Sequence, residues 1–208
     1  MNTRQESATM VAAGVAALLG VGFVFKGFEF KRQQAQRSAC QSNLKQVALA
    51  TLQYNRDYDE LMPLASNWST ALFPYAKNPA IFQCPRRRNA PQGYALHLHS
   101  AESNLATFSN TARMVMYFDS DGPQINTADA GASLPRRPRH LKGYNLAYLD
   151  GHVKFETNPD LKFGYGPEFL RRKREAREAK AKYWEAYAKK YRRLSLQKLA
   201  AQKKAKKP

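Results

Sequence analysis

This chain is short of cysteine and of acidic residues, and it lacks the compact motifs that announce catalysis. Two cysteines, Cys40 and Cys84, stand among 208 residues. They are too few for a disulfide scaffold and too far apart for a CxxC metal knuckle. Either they form one bridge, which suits an oxidising compartment, or they are two buried thiols. There is no Gly-x-Ser-x-Gly elbow, no HExxH pair, no phosphate-binding glycine loop and no dinucleotide fingerprint, so the residues read as those of a non-enzyme. Proline is missing before Pro63, which leaves a long N-terminal stretch with nothing to break a helix. No internal repeat is present.

The shortage of acid is local. Against 34 Lys and Arg there are 16 Asp and Glu, for a net charge of +18. Residues 168–208 hold sixteen bases and four glutamates, net +12, whereas residues 1–167 are only mildly cationic at +6. A basic tail of this kind suits an anionic partner such as nucleic acid, anionic lipid or cell-wall polymer, or it is simply a solvated helix. The rest, in a chain 43% hydrophobic and 12% aromatic, supports one modest core with appendages.

Helical periodicity organises the first sixty residues. Met10–Phe25 is an apolar run with no charge until Lys26. Sixteen helical residues reach ~24 Å, and continuing through Phe30 approaches the ~30 Å of a bilayer core. No small-residue cleavage site follows it, which favours an anchor over a signal peptide. Arg4 precedes the run and Lys26, Lys31, Arg32 and Arg37 follow it, a bias that alone would put the bulk of the protein in the cytoplasm. Beyond Lys31, Cys40, Leu44, Val47, Ala48, Thr51 and Tyr58, with Tyr54 at the edge, form one inward stripe. The helix is expected to stop between Asn55 and Glu60.

Residues 1–30 thus read as leader and membrane segment, 31–60 as an amphipathic stem, 61–166 as an α+β domain and 167–208 as a basic helical tail. Within the domain, Trp68–Tyr75 reads as a short helix with Trp, Leu and Phe inward, and Arg86, Arg87 and Arg88 as an exposed basic loop. Strands are expected at Tyr94–His99 and Ala112–Phe118. Asn145–Leu149 and His152–Phe155 flank Asp150-Gly151, the strongest local signal for a hairpin. The tail opens at Gly166-Pro167 and places Tyr183, Tyr187, Tyr191 and Leu194 on one face as a partner-binding stripe, with Trp184 beside it.

His140, nine residues, then Asp150-Gly151 resembles the H-x9-DG signature of bacterial pilin-like, type II secretion pseudopilin-like proteins. Cys40-Gln-Ser-Asn-Leu-Lys-Gln46, Asp57–Glu60 with Pro63, Trp68 with Pro74-Tyr75, Phe82-Gln-Cys84-Pro85 and Tyr117-Phe-Asp119 follow in that group's order. The resemblance spans roughly residues 35–156. It implies an α+β, pilin-like fold: a long N-terminal helix, membrane-spanning in its first half, packed by a small antiparallel sheet, with the basic C-terminal helix added. It also implies a Cys40–Cys84 bridge, a domain outside the cytoplasm, either inner-membrane anchored or in an extracytoplasmic filament, and partners that are copies of the chain or other pilin-like subunits. The N-terminus departs from the group: no Gly stands ahead of the apolar run and no Glu near its fifth residue.

Histidine and aspartate gather in the second half. Asp119, Asp121, His140 and His152 are the candidate donors for a divalent ion such as calcium, although calcium asks for oxygens and only Asp119-Ser-Asp121-Gly supplies a short acidic loop. The stronger reading has no cofactor and makes His140, Asp150 and Gly151 a structural motif, Asp150 favouring the turn and accepting a hydrogen bond from His140.

Overall fold

The computed structural model describes the backbone of residues 3–87 and 90–205 and the side chains of residues 23, 25–87 and 90–193. The chain divides into two units, residues 1–163 and 164–208.

The first unit begins with helix α1, Thr3–Asp57, one rod of 55 residues. Among the described residues no helix is long and apolar enough to cross a membrane. Of the apolar run Met10–Phe25, only Phe23 and Phe25 have described side chains, so the expected span at residues 10–30 lies largely outside them. The stem follows the expected stripe: Cys40, Leu44, Val47, Ala48 and Thr51 are fully buried. Tyr58 departs from it. It is exposed and stacks on Tyr54 at 4.2 Å, because the helix has already unwound by then; Asn55 is the last inward residue. Its carbonyl accepts the Glu60 amide at 2.8 Å and its side-chain amide donates to the Glu60 carbonyl at 3.2 Å, closing a turn through Asp59 and Glu60 at positive φ.

A short helix α2, Trp68–Ala71, follows. Trp68 and Leu72, four residues apart, share the buried face, but Phe73 is exposed, because adjacent residues on a helical turn point about 100° apart. Trp68 packs on Tyr117 at 4.9 Å and donates its indole N–H to the Thr127 carbonyl at 3.0 Å. A 3-10 turn at Pro79–Phe82 then carries the chain along α1.

The sheet has five strands: β1 Tyr94–His97, β2 Val115–Asp119, β3 Ala128–Asp129, β4 Tyr144–Tyr148 and β5 Val153–Glu156. Their order is β3-β1-β2-β4-β5. The sheet is mixed rather than wholly antiparallel, because β3 runs parallel to β1. The long loop after β2 passes the open edge of β1 and satisfies it, Leu96 N–H donating to the Thr127 carbonyl at 3.1 Å and Leu98 N–H to that of Asp129 at 2.9 Å. β1 ends two residues earlier than expected, at His97, whose carbonyl accepts the Ser100 amide at 2.9 Å. His99 therefore sits in a turn.

Every residue of β1 and β2 is buried, since the sheet is covered on both faces. On one face lies α1: Tyr117 shares a 2.8 Å hydrogen bond with Thr51, and the Tyr94 hydroxyl donates to the Cys40 carbonyl at 3.0 Å. On the other, Ala95, Val115, Phe118, Leu146, Tyr148 and Leu161 form a second core closed by Leu134 and Tyr144. β4 and β5 form the expected hairpin, with Ala147 opposite Val153 and Gly151 in its turn at φ +85°.

The second unit is helix α3, Pro167–Ala205, 39 residues with Pro at its first position. Glu168 pairs with Arg171 and Arg172 in its first turns. Tyr183, Trp184, Tyr187 and Tyr191 are exposed and in ring contact with one another, Trp184 edge-on to Tyr183 and Tyr187, and Tyr187 tilted against Tyr191 at 4.3 Å. The side chain of Leu194, the fourth expected member of the stripe, lies outside the described residues.

Candidate functional site: a buried cysteine–histidine cluster

The polar residues that converge lie beneath the sheet, against the stem of α1. Cys40 comes from α1, Cys84 from the loop after the 3-10 turn, and His140 from the segment that leads into β4; all three are buried. Their donor atoms, the two Sγ and one imidazole nitrogen, lie within 4.8 Å of one another. The His140 Nε2 stands 3.3 Å from the Cys84 Sγ and 3.9 Å from the Asp119 Oδ2. Arg139 approaches the other carboxylate oxygen, its Nη2 at 3.8 Å from Oδ1.

Backbone packing holds each member in place. Gly93 lies so close to Cys84 that a Cβ there would meet the Cys84 nitrogen at 2.5 Å; only glycine lets β1 pass under that loop. The Gly93 N–H donates to the Phe82 carbonyl at 2.8 Å, fixing the loop just ahead of the cysteine. Asp119, the last residue of β2, accepts the Asn145 N–H of the neighbouring β4 at 2.7 Å. Arg139 donates from Nη2 to the carbonyls of Gly93 and Ser120, at 2.9 and 3.0 Å, and so ties the His140 segment to β1 and β2. His140 is pinned by a bridge to Gly143.

The electrostatics follow from burial. Loss of water pushes the Asp119 carboxyl up to about 6, against the pull of Arg139, His140 and the Asn145 N–H. The two thiols move apart. Cys84 is drawn down, first by the hydrogen bond from Cys40 and then, against burial, by His140 and the Arg139 charge. Cys40, as the donor of that bond and desolvated besides, is pushed up. Two buried atoms of the cluster, Asp119 Oδ1 and His140 Nδ1, make no hydrogen bond among the described residues.

The two cysteines are brought together as the resemblance implied, but they stand as two free thiols, not as a bridge, with the Cys84 sulfur engaged by the imidazole. The expected ion-binding set does not assemble: Asp119 and His140 meet, while Asp121 is exposed and faces Arg87 at 3.9 Å and Arg139 at 3.8 Å. His152 lies in the hairpin turn, its Nδ1 2.6 Å from the Asp150 carboxylate and its ring stacked on Tyr148 at 4.3 Å. The expected His140–Asp150 hydrogen bond is therefore not formed, because Asp150 sits at the exposed tip of the hairpin while His140 turns into the core. The H-x9-DG residues serve two separate structures.

Sequence reasoning missed two arginines. Arg87, read as part of an exposed basic loop, is half-buried; its Nη1 reaches the carbonyls of Gln92, Ser120 and Gly122 at 2.8–3.0 Å and its Nη2 that of Asp121 at 2.9 Å. Arg139 carried a signal in being next to His140; Arg87 carried none that separates it from Arg86. Compared with known proteins, the chain matches no family model, no curated protein and no solved structure.

Proposed function

We propose that the chain is a non-enzymatic, pilin-like structural subunit, or a minor component, of a cell-envelope filament or secretion assembly, held in the membrane through residues 10–30 with its globular domain outside the cytoplasm. The observation that supports this reading is the division of α1 into a covered and an uncovered half. Residues from Cys40 to Asn55 bury one stripe under the sheet, whereas Phe23, Phe25, Phe28 and Phe30 are 81, 70, 69 and 57% exposed. At 100° per residue these four phenylalanines point around the helix rather than along one face, as in a helix surrounded by lipid or by other helices. A domain clasping one end of such a rod is the shape of a subunit whose free helix is its means of assembly.

The test is Phe25→Glu with Phe28→Glu in the full-length chain. Membrane retention and cross-linking between copies should fall at least tenfold while the thermal midpoint of the domain is unchanged, since neither side chain touches the sheet. Unaltered fractionation and cross-linking would overturn the reading. A second reading, a membrane-anchored module that binds an anionic polymer or lipid through its tail, is favoured by the basic, exposed faces of α3. Binding that is lost with rising salt and on truncation after Pro167 would select it.

A further inference from the structure

We propose that Cys40, Cys84 and His140 form a binding site for one soft divalent metal ion, zinc, beside the buried Asp119 carboxylate. The two sulfurs and the imidazole nitrogen, all within 4.8 Å of one another, come from three segments far apart in the sequence. That mutual distance suits a single tetrahedral centre, in which metal–sulfur bonds of ~2.3 Å and metal–nitrogen bonds of ~2.0 Å set the donors about 3.5–4 Å apart. A bridge between the cysteines would need no third group, yet here the imidazole Nε2 points at the Cys84 sulfur at 3.3 Å and stands 3.9 Å from the Asp119 carboxylate.

Donor chemistry and charge agree. Thiolate and imidazole select zinc over calcium or magnesium, which ask for oxygens. On binding, each thiol gives its proton to solvent and a sulfur lone pair to the metal, and His140 binds as the neutral imidazole through Nε2. Two thiolates balance a divalent ion, and Arg139 beside Asp119 balances the neighbouring carboxylate within the buried site.

The site is closed: Cys40, Cys84, His140 and Asp119 are each at most 1% exposed. A closed, buried site of this kind suits a structural ion, and this one would staple the stem of α1 to the sheet. The inference does not depend on assembly and holds whether or not the chain forms a filament.

The test uses the full-length chain, produced in zinc-supplemented medium and kept in reductant and detergent. Elemental analysis should find one zinc per chain. Exchange with cobalt alone should produce a thiolate-to-cobalt charge-transfer band and the intense visible bands of a tetrahedral centre, both bleached by added zinc. The metal-loaded protein should resist a thiol reagent until it is unfolded or treated with chelator. Cys84→Ala and His140→Ala should lose the cobalt spectrum, and His152→Ala, at the remote hairpin, should keep it. Because the first two variants could fail to fold, the wild-type protein decides alone. A mass lower by two hydrogens with no titratable thiol after unfolding would show a bridge and overturn the proposal. So would two free thiols with neither zinc nor a cobalt spectrum.

Discussion

Gly151 presses on Leu52: a Cβ placed on the glycine would stand 2.7 Å from the Leu52 Cδ1. The hairpin turn is thereby seated on the stem of α1, and the Lys45 ammonium adds a 2.7 Å hydrogen bond to the Gly151 carbonyl. The contact joins the best-marked turn in the sequence to its best-marked helix.

Replacing Gly151 with valine should therefore destabilise the domain twice over. A β-branched residue tolerates φ +85° poorly, and its side chain meets Leu52 besides. Together these should cost roughly 2–4 kcal/mol, read as a fall of several degrees in thermal midpoint. Adding Leu52→Ala should recover only the steric part. A Gly151→Val midpoint equal to the wild type would mean that the turn is not seated as described.

Arg87 should be irreplaceable even by lysine. Its guanidinium reaches four backbone carbonyls, on the Gln92 segment and on the turn after β2, and an ammonium has neither the fork nor the reach to serve them together. Arg87→Ala should cost about 2 kcal/mol, and Arg87→Lys should restore less than half of that in urea unfolding. Full recovery with lysine would reduce the residue to a point charge.

These two cases show where the sequence was legible. Periodicity marked the α1 stripe from Cys40 to Thr51, and the Asp150-Gly151 pair marked the hairpin, because both are local patterns that burial and turn geometry impose within a few residues. Contacts between distant segments left no such trace. Nothing near Arg87 distinguishes a residue that grips carbonyls 33–35 positions away from its solvent-facing neighbour Arg86. The spacing of Cys40 and Cys84 excluded a knuckle and gave no hint that His140, 56 residues beyond Cys84, would join them. The parallel edge strand β3 was hidden for the same reason: two residues inside a loop rich in Gly, Ala and Asp carry no strand period.

The hairpin tip makes a pH prediction. Partial burial would raise the Asp150 carboxyl, but the His152 amide and imidazole outweigh it and hold the group below its ordinary value. A depressed carboxyl contributes stability above its unfolded value, near 3.8, and that stability is lost as pH falls through the folded value. Wild type should therefore lose thermal stability below about pH 4 more steeply than Asp150→Asn. The pair is over a third exposed on the His152 side, so the difference should be small, on the order of 2 °C. Parallel acid limbs would show that the carboxylate adds nothing to the turn.

The tail is where the resemblance is silent and only the residues speak. Tyr183, Trp184, Tyr187 and Tyr191 form a continuous exposed aromatic stripe, with ring centroids 6.3 Å apart from Tyr183 to Tyr187 and 4.3 Å from there to Tyr191. Aromatic anchors of this kind are what interfaces favour over plain surface. The basic side chains around them repel one another along an isolated helix, so α3 gains from a neighbouring copy that covers the stripe or from an anionic ligand that neutralises the rest. Tyr187→Ser with Tyr191→Ser should loosen association between copies and raise hydrogen exchange across residues 180–195, leaving the melting of residues 1–163 unchanged. Exchange in the assembled wild-type protein should be at least tenfold slower there than in the isolated tail peptide. Were residues 180–195 to exchange in the wild type as fast as an unfolded peptide, the tail would dock on nothing, and its tyrosines would be a surface feature of a solvated extension.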